Sequence, residues 1–372
     1  MWLKGFAADE MSAAYARAGQ FAGPADEAAP RFVAYYAECL TSFMRGAHRQ
    51  AHAEAEAFLR EAEAEGRPTE AGVARRVLGF VSLLLGDLQA ARKALERTLS
   101  DYVHERDRET LFRFGNDTQV SARNFLALTE WHLGELERAR QLSEGSNRRA
   151  AKLGHAASIA SALFFKTVLE SRRGDVTATR LTVEALLALT EELNLKTYTD
   201  LGQVYANWVR GKKGDPDAGA LGLRPALASY LAQGNRSGAP SFYGLLAELE
   251  AMRLDPDGAL AAVDAGLEIA EDTGEHYTDP YLYRLRGEFL LTRRPAHRVA
   301  AEEAFQTALA IANRQGARGY ALLASYSAAK LYQSIGLPSD AQAILAPALE
   351  GFSPTPEMPE IAEAQALLGH LA

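Results

Sequence analysis

The segment Ser121-Ala-Arg-Asn-Phe-Leu-Ala-Leu-Thr-Glu-Trp-His-Leu-Gly134 decides the fold. It is a helical stretch that ends at a glycine, and glycine closes a helix in the left-handed conformation without a Cβ clash. Five residues later stands Ala139, a small residue near the start of a second helical pattern. The two halves predict a pair of helices joined by a tight turn.

The same arrangement recurs along the chain. The pairs of turn residue and small residue are Gly46 with Ala51, Gly86 with Ala91, Gly134 with Ala139, Gly174 with Thr179, Gly214 with Gly219, Arg253 with Gly258, and Gly336 with Ala341. The turn residues are separated by 40, 48, 40, 40, 39 and 83 residues, and the last interval spans two periods. Its middle unit falls near Arg294-Pro295-Ala296. About eight units with a period of ~40 residues predict a helical-pair solenoid.

The second helices carry an apolar stripe. Ala91, Ala94, Leu95, Thr98 and Leu99 follow the spacing of one face of an α-helix. No segment alternates with a period of two between hairpin turns, so no sheet is predicted. The predicted fold is therefore all-α, an α-α superhelix, and the eight-residue excess at residues 102–118 predicts one long loop.

Composition narrows the class of protein. The chain has 372 residues, 48% of them hydrophobic and 24% charged, which excludes a disordered chain. The net charge of −8 argues against direct binding of nucleic acid, which depends on cationic contacts to phosphates. One cysteine, no apolar run long enough to cross a membrane and no signal peptide predict a soluble cytoplasmic protein.

These units resemble tetratricopeptide repeats, although their period exceeds the usual 34 residues and the terminal proline is mostly absent. A closer resemblance is to the C-terminal helical-repeat region of bacterial adenylate/guanylate cyclase and AAA-type ATPase signalling proteins. Related repeats occur in transcriptional activators of the maltose-regulator type. The similar stretches are residues 4–18, which begin Lys4-Gly-Phe, Phe114-Gly-Asn-Asp-Thr-Gln-Val120, Tyr281-Leu-Tyr-Arg-Leu-Arg-Gly-Glu-Phe-Leu-Leu291, and residues 308–318.

The resemblance implies one solenoid domain over residues 1–372, truncated at its N-terminal end. In the family, the segment similar to the one around Lys4 lies inside the repeat array, after the cyclase and ATPase domains. Any cyclase or ATPase activity would reside in those domains. Trp2, Leu3 and Phe6 would then form an uncapped apolar edge that could self-associate.

The sequence predicts no catalytic residue, no cofactor and no metal site. Gly211-Lys-Lys-Gly214 lacks the spacing and the hydroxyl of a phosphate-binding loop, and no Gly-x-Ser-x-Gly elbow is present. His48 and His52 have the i, i+4 spacing of zinc ligands but lack the glutamate and a third ligand, so a solvated helix face is favoured. Cys39 stands in an apolar stretch and is interpreted as a buried small residue.

Short basic pairs stand near the predicted helix ends. Cations there interact favourably with the helix dipole, and this structural role is favoured over phosphate binding. The pairs are Arg148-Arg149, Arg172-Arg173, Lys212-Lys213 and Arg293-Arg294.

The remaining functional surface is the concave face of the solenoid, which first helices commonly line. We expect it to bind a protein or peptide, including the chain's own upstream domains. The candidate residues are Arg123, Asn124, Glu130, Trp131, Asn207, Trp208, Tyr281, Arg284 and Tyr326. The aromatic members could instead fill space between helices. The alternative function is the ligand-sensing arm of a maltose-regulator-type activator, with a small effector in the groove.

Overall fold

The computed structural model describes residues 29–371. The predicted N-terminal edge at Trp2, Leu3 and Phe6, and the similar stretch at residues 4–18, lie outside the described residues. The helices are α1 (Ala29–Met44), α2 (His48–Ala64), α3 (Pro68–Leu84), α4 (Leu88–Asp101), α5 (His104–Asp107), α6 (Thr110–Arg113), α7 (Thr118–Leu133), α8 (Leu136–Leu153), α9 (Ala156–Arg172), α10 (Val176–Glu192), α11 (Lys196–Lys212), α12 (Pro216–Ala232), α13 (Ala239–Met252), α14 (Pro256–Thr273), α15 (Asp279–Arg293), a 3-10 helix (Pro295–His297), α16 (Arg298–Gln315), α17 (Arg318–Ser334), α18 (Pro338–Leu349) and α19 (Glu360–Leu371).

Eight antiparallel pairs account for most of these helices. Units 1 to 8 are α1/α2, α3/α4, α7/α8, α9/α10, α11/α12, α13/α14, α15/α16 and α17/α18. The prediction of an all-α superhelix of about eight helix pairs is confirmed. Across residues 29–371, the β pairing amounts to one isolated bridge between Thr355 and Met358.

The turns within pairs follow from the sequence. Gly46, Gly86, Gly134, Gly174, Gly214 and Gly336 all adopt positive φ. After several turns an aspartate caps the second helix: the carboxylate of Asp175, for example, accepts a hydrogen bond of 2.8 Å from the Ala178 backbone N–H. The small residue also packs as expected, since Ala91 and Ala139 are fully buried.

Unit 6 corrects the predicted register by one residue. Leu254, not Arg253, takes the left-handed conformation of the turn, with φ of 60°. The small buried position is accordingly Ala259, not Gly258. The leucine is 85% exposed, so the cost of this unusual conformation is the local contact of its Cβ with its own backbone.

The long loop predicted at residues 102–118 is wrong in part, because it contains the one-turn helices α5 and α6. A single buried carboxylate organises it. Asp107 accepts hydrogen bonds from the Val103 backbone N–H (2.8 Å) and from the Thr69 hydroxyl of α3 (2.6 Å). This carboxylate fixes the first turn of α5 against unit 2.

The two helices of a unit differ sharply in burial. Thirteen of the 16 residues of α7 are buried, against five of the 18 residues of α8. First helices therefore form the inside of the array and second helices its outer surface. Within residues 29–371, no helix is both long enough and apolar enough to span a membrane.

The superhelix closes on itself after five units. The backbone N–H of Arg236, at the start of unit 6, donates to the Met44 carbonyl at the end of α1 (2.8 Å). One unit later, the N–H of His276 donates to the Leu84 carbonyl at the end of α3 (2.9 Å). Arg173 of unit 4 pairs with Glu357 before α19, with Nε and Oε2 2.7 Å apart. The first helices thus surround a lumen bounded by one complete superhelical turn.

A substitution at Gly46 tests the contact between units 1 and 6. A methyl group on its α-carbon would lie 2.5 Å from Thr273 Cγ2 in unit 6, and the residue has φ of 79°. We expect Gly46→Ala to lower the free energy of unfolding by about 2–4 kcal/mol, through backbone strain and the clash. Denaturant unfolding followed by circular dichroism measures this loss.

Gly174 provides the matched control. It has φ of 70° at the equivalent turn of unit 4, but a methyl group there meets nothing within 4 Å. Gly174→Ala should therefore cost only the strain, about 1 kcal/mol. Equal losses in the two variants would contradict the packing of unit 1 on unit 6.

Candidate functional site

The lumen contains a cavity of about 170 Å³. Residues of α1, α3, α7, α9, α11 and α13 line it, together with Phe114, Asn116, Tyr230, Ser237, Gly238 and Tyr277. Because these helices belong to units 1 to 6, the cavity exists only where one superhelical turn is complete. Most of its lining is apolar.

Four phenylalanines from successive units form one wall of this cavity. Phe80 stacks on Phe125 with ring centroids 3.9 Å apart. Phe43 contacts Phe80 at 5.2 Å, and Phe165 contacts Phe125 at 5.1 Å, both edge to face. These are favoured aromatic geometries, so the wall is a fixed apolar surface. We call Phe43, Phe80, Phe125 and Phe165 the phenylalanine wall.

A cation lies next to one of the residues that line the cavity. Arg172, the last residue of α9, donates a hydrogen bond of 2.6 Å from Nη2 to the hydroxyl of Ser241, which lines the cavity. Its guanidinium also lies 5.0 Å from the ring centroid of Tyr281. Within residues 29–371, no carboxylate oxygen lies within 4 Å of this guanidinium.

The ionisable groups near Arg172 do not neutralise it. Burial raises the pKa of Glu275 to about 8, so this carboxyl is mostly protonated at neutral pH. Burial also lowers the pKa of His132 well below its usual range, and the charge of Arg172 acts in the same direction. Arg172, which is half-buried, therefore keeps a positive charge that no neighbouring carboxylate neutralises.

Two predicted residues, Trp208 and Tyr281, meet at the carboxylate of Glu248. The Trp208 indole N–H donates to Oε2 (3.0 Å) and the Tyr281 hydroxyl to Oε1 (2.8 Å), while Lys212 Nζ lies 2.8 Å from Oε2. Burial by itself raises the pKa of Glu248, but Lys212 and the two hydrogen bonds lower it to about 2. This fully satisfied network joins units 5, 6 and 7.

Three further predicted residues lie buried in α7. Asn124 accepts a hydrogen bond of 2.7 Å from the Ser146 hydroxyl. Glu130 forms ion pairs with Arg92 and Arg138 of second helices in units 2 and 3. Trp131 packs edge to face against Tyr320 at 5.5 Å, but its indole N–H has no partner. All three join units together in the interior.

The other predicted residues are half-buried and scattered. Asn207 donates to the Gln203 carbonyl within α11 (2.8 Å), and Arg284 donates to Glu288 within α15 (2.7 Å). The Tyr326 hydroxyl donates to Glu363 of α19 (3.2 Å). Arg123 lies in a shallow basic groove between α7 and α8. The nine predicted residues therefore do not form one continuous surface, and their role in partner binding stays a prediction.

The two histidines with i, i+4 spacing, His48 and His52, have different surroundings. His48 is fully buried, with Nδ1 3.2 Å from the Thr273 carbonyl and Nε2 3.4 Å from the Ser237 hydroxyl, whereas His52 faces Glu56. In the part of the chain that is described, no group of three His, Cys, Asp or Glu residues could hold a metal ion. Cys39 is fully buried, and burial raises the pKa of its thiol.

Sequence reasoning missed the phenylalanine wall and the role of Arg172. Phe125 and Phe165 each stand nine residues before a turn glycine, so alignment of the repeats could have paired them. Nothing in the sequence separates Arg172 from Arg173. Only the structure shows that Arg173 pairs with Glu170 and Glu357 while Arg172 faces the interior tyrosines.

No known family model matches the chain, and no curated protein is significantly similar to it. Among solved structures, yeast Tom70 is similar over 97% of this chain and 69% of its own, with 12% identity and a TM-score of 0.45. The TPR domain of P58(IPK) is similar over 96% of this chain and 98% of its own, with 13% identity and a TM-score of 0.28. The fold assignment rests on the helix pairs and turns themselves.

Glu275 makes the stability of the closed turn dependent on pH. Its folded pKa of about 8 lies far above the ordinary value, so stability is greatest at low pH and falls as pH rises from about 5 to about 8. Glu275→Gln removes this ionisation, while the amide oxygen can still accept the hydrogen bond from the Gly238 N–H. We expect the variant to be more stable than the parent by at least about 1 kcal/mol at pH 8.

Urea unfolding at a series of pH values measures the difference between the two proteins. Asp272→Asn is the control, because Asp272 is also acidic and pairs with Arg236 where unit 1 meets unit 6, but is exposed. The stability of Asp272→Asn should change with pH in the same way as that of the parent. If the stabilities of the parent and of Glu275→Gln changed with pH in parallel, the raised pKa of Glu275 would be refuted.

Proposed function

We propose that this chain is the non-catalytic helical-repeat arm of a cytoplasmic signalling ATPase or cyclase, and that it binds protein partners through its outer surface. The observation that carries the proposal is the closure of the superhelix after five units. Because α1 and α3 are bonded to units 6 and 7, the first helices face a lumen bounded by one superhelical turn. The outer surface belongs to the second helices.

An apolar stripe on this surface supports partner binding. Leu181 and Leu221 stand one period apart on α10 and α12, and they are 56% and 76% exposed. Ala261, one further period along on α14, is also exposed. Scattered exposed leucines are ordinary, but a set repeated in register on adjacent units is suited to a partner helix. We call Leu181, Leu221 and Ala261 the outer stripe.

The alternative function, an arm that senses a small effector, has its own supporting observation. The lumen holds a cavity with an apolar wall and few polar groups, which is the usual character of a small-molecule site. The effector would lie inside the closed turn instead of in an open groove. The two functions are compatible, since one uses the lumen and the other the outer surface.

A capture experiment tests the scaffold function. The full chain is immobilised, and cyclase and ATPase domains of the resembling signalling proteins are supplied in trans. The double variant Leu181→Glu/Leu221→Glu should retain at least about tenfold less of the bound domain, because charge is placed at an apolar contact. Binding is measured by surface plasmon resonance.

The matched control is Gln141→Glu, at the equivalent exposed position of α8 outside the outer stripe. Glu303 occupies this position naturally on α16, so glutamate is compatible with the fold there. Equal retention by the double variant and the parent would rule out the outer stripe. If the parent retained neither the cyclase nor the ATPase domain, the proposed signalling role would be contradicted.

A further inference from the structure

The lumen combines an apolar wall with an unpaired cation. A charge that is partly removed from water is costly unless it is paired, and the half-buried Arg172 has a hydroxyl and aromatic rings as its neighbours. The ring of Tyr281 lies 5.0 Å from its guanidinium, and Tyr205, Tyr277 and Tyr320 lie near enough to interact with it electrostatically. None of them is a carboxylate, so an anion from outside the chain would find this charge unoccupied.

Ser241 connects this cation to the cavity. Its hydroxyl accepts from Arg172, and the residue lines the cavity beside Gly238 and Phe242, at the N-terminal end of α13. The positive end of that helix dipole adds to the attraction for an anion. Ser241 and the start of α13 therefore lie at one side of the cavity, with Arg172 bonded to the Ser241 hydroxyl.

Unpartnered buried polar atoms provide an independent indication. Tyr320 is 2% exposed and its hydroxyl has no hydrogen-bond partner. Thr197, which lines the cavity, is 3% exposed and its hydroxyl also lacks a partner. Buried hydroxyls are normally satisfied, so these groups mark places where a polar ligand atom would be stabilised.

We propose that the cavity binds an amphipathic carboxylate, with its carboxylate on Arg172 and Ser241 and its apolar body against the phenylalanine wall. This inference rests on the second proposed function, the sensing of a small effector. The volume of about 170 Å³ sets the size. It corresponds to a ligand on the order of ten to fifteen non-hydrogen atoms.

The geometry of the Arg172 guanidinium favours a carboxylate, which matches its planar fork and accepts from it through two oxygens. A second arginine, Arg76, lines the cavity and is 2% exposed; it donates to the Ser121 hydroxyl (3.3 Å), and within residues 29–371 no carboxylate oxygen lies within 4 Å of it. Loss of the preference for an acid in Arg172→Met distinguishes Arg172 from Arg76 as the group that holds the carboxylate.

Isothermal titration calorimetry on the full chain tests the proposal with decanoate and decanol as probes. Decanoate should bind at least about tenfold more tightly than decanol, because only the acid forms a charge-assisted hydrogen bond with Arg172. Arg172→Met should remove this preference and leave decanol binding unchanged. Equal affinity of the parent for both probes would overturn the assignment of the headgroup.

A second variant keeps the test decisive if Arg172→Met does not fold. Phe125→Leu shortens the phenylalanine wall and leaves Arg172 in place. It should weaken decanoate and decanol by the same factor, about threefold to tenfold, through lost apolar contact. An unchanged affinity for both probes would place the ligand elsewhere.

The outcomes separate this inference from the scaffold function. Calorimetry uses the isolated chain, so binding of neither probe overturns the carboxylate site while partner capture through the outer stripe is measured independently. Selective decanoate binding that is lost in Arg172→Met supports the site whatever the capture experiment gives. Binding of phenyl phosphate more tightly than decanoate would replace the monoanion with a phosphate ligand.

Discussion

The structure depends on hydrogen bonds that cap the first helices across a superhelical turn. The last carbonyls of any helix lack partners within that helix. Here the carbonyls of Met44 and Leu84, which end α1 and α3, accept from backbone N–H groups five units later in the chain. Because these acceptors are backbone atoms, they fix the distance between turns whatever the side chains are. Only a glycine fits at position 46, directly beside the contact.

Because its superhelical turn is closed, this protein differs from an ordinary helical-repeat solenoid. In an open solenoid each repeat contacts only its neighbours, and the concave face stays accessible. Here units 1 to 3 also contact units 6 to 8, so residues on first helices become core residues. The Glu248 network shows the consequence, since Trp208 and Tyr281 are both satisfied inside the protein and present nothing to a partner. Surfaces for recognition then lie either inside the turn or on its outside.

The sequence predicts local structure well because each feature depends on a few neighbouring residues. Turn glycines, aspartate caps and small packing residues all follow from chain stereochemistry, so the eight helix pairs are predictable from the sequence. The error in unit 6 has the same origin: Leu254 adopts a conformation that its residue type disfavours. Closure could not be predicted, because the residues that meet, such as Gly46 and Thr273, carry no shared pattern. The cavity and the inward turn of Arg172 depend on closure, so the sequence does not reveal them either.

The lumen departs from ordinary protein packing in two respects. Cores normally contain no sizeable void, because each unfilled volume forfeits dispersion contacts and apolar burial. They also normally pair a buried arginine with a carboxylate. The lumen keeps a cavity of about 170 Å³, and neither the buried Arg76 in its lining nor the half-buried Arg172 beside it has such a partner. Each exception alone weakens the fold, and in proteins such exceptions concentrate where a ligand restores what is missing. An amphipathic anion would restore both at once, because its apolar body fills the void and its charge neutralises the guanidinium. Since the cavity is shared by units 1 to 6, that same ligand would stabilise the closed turn by mass action.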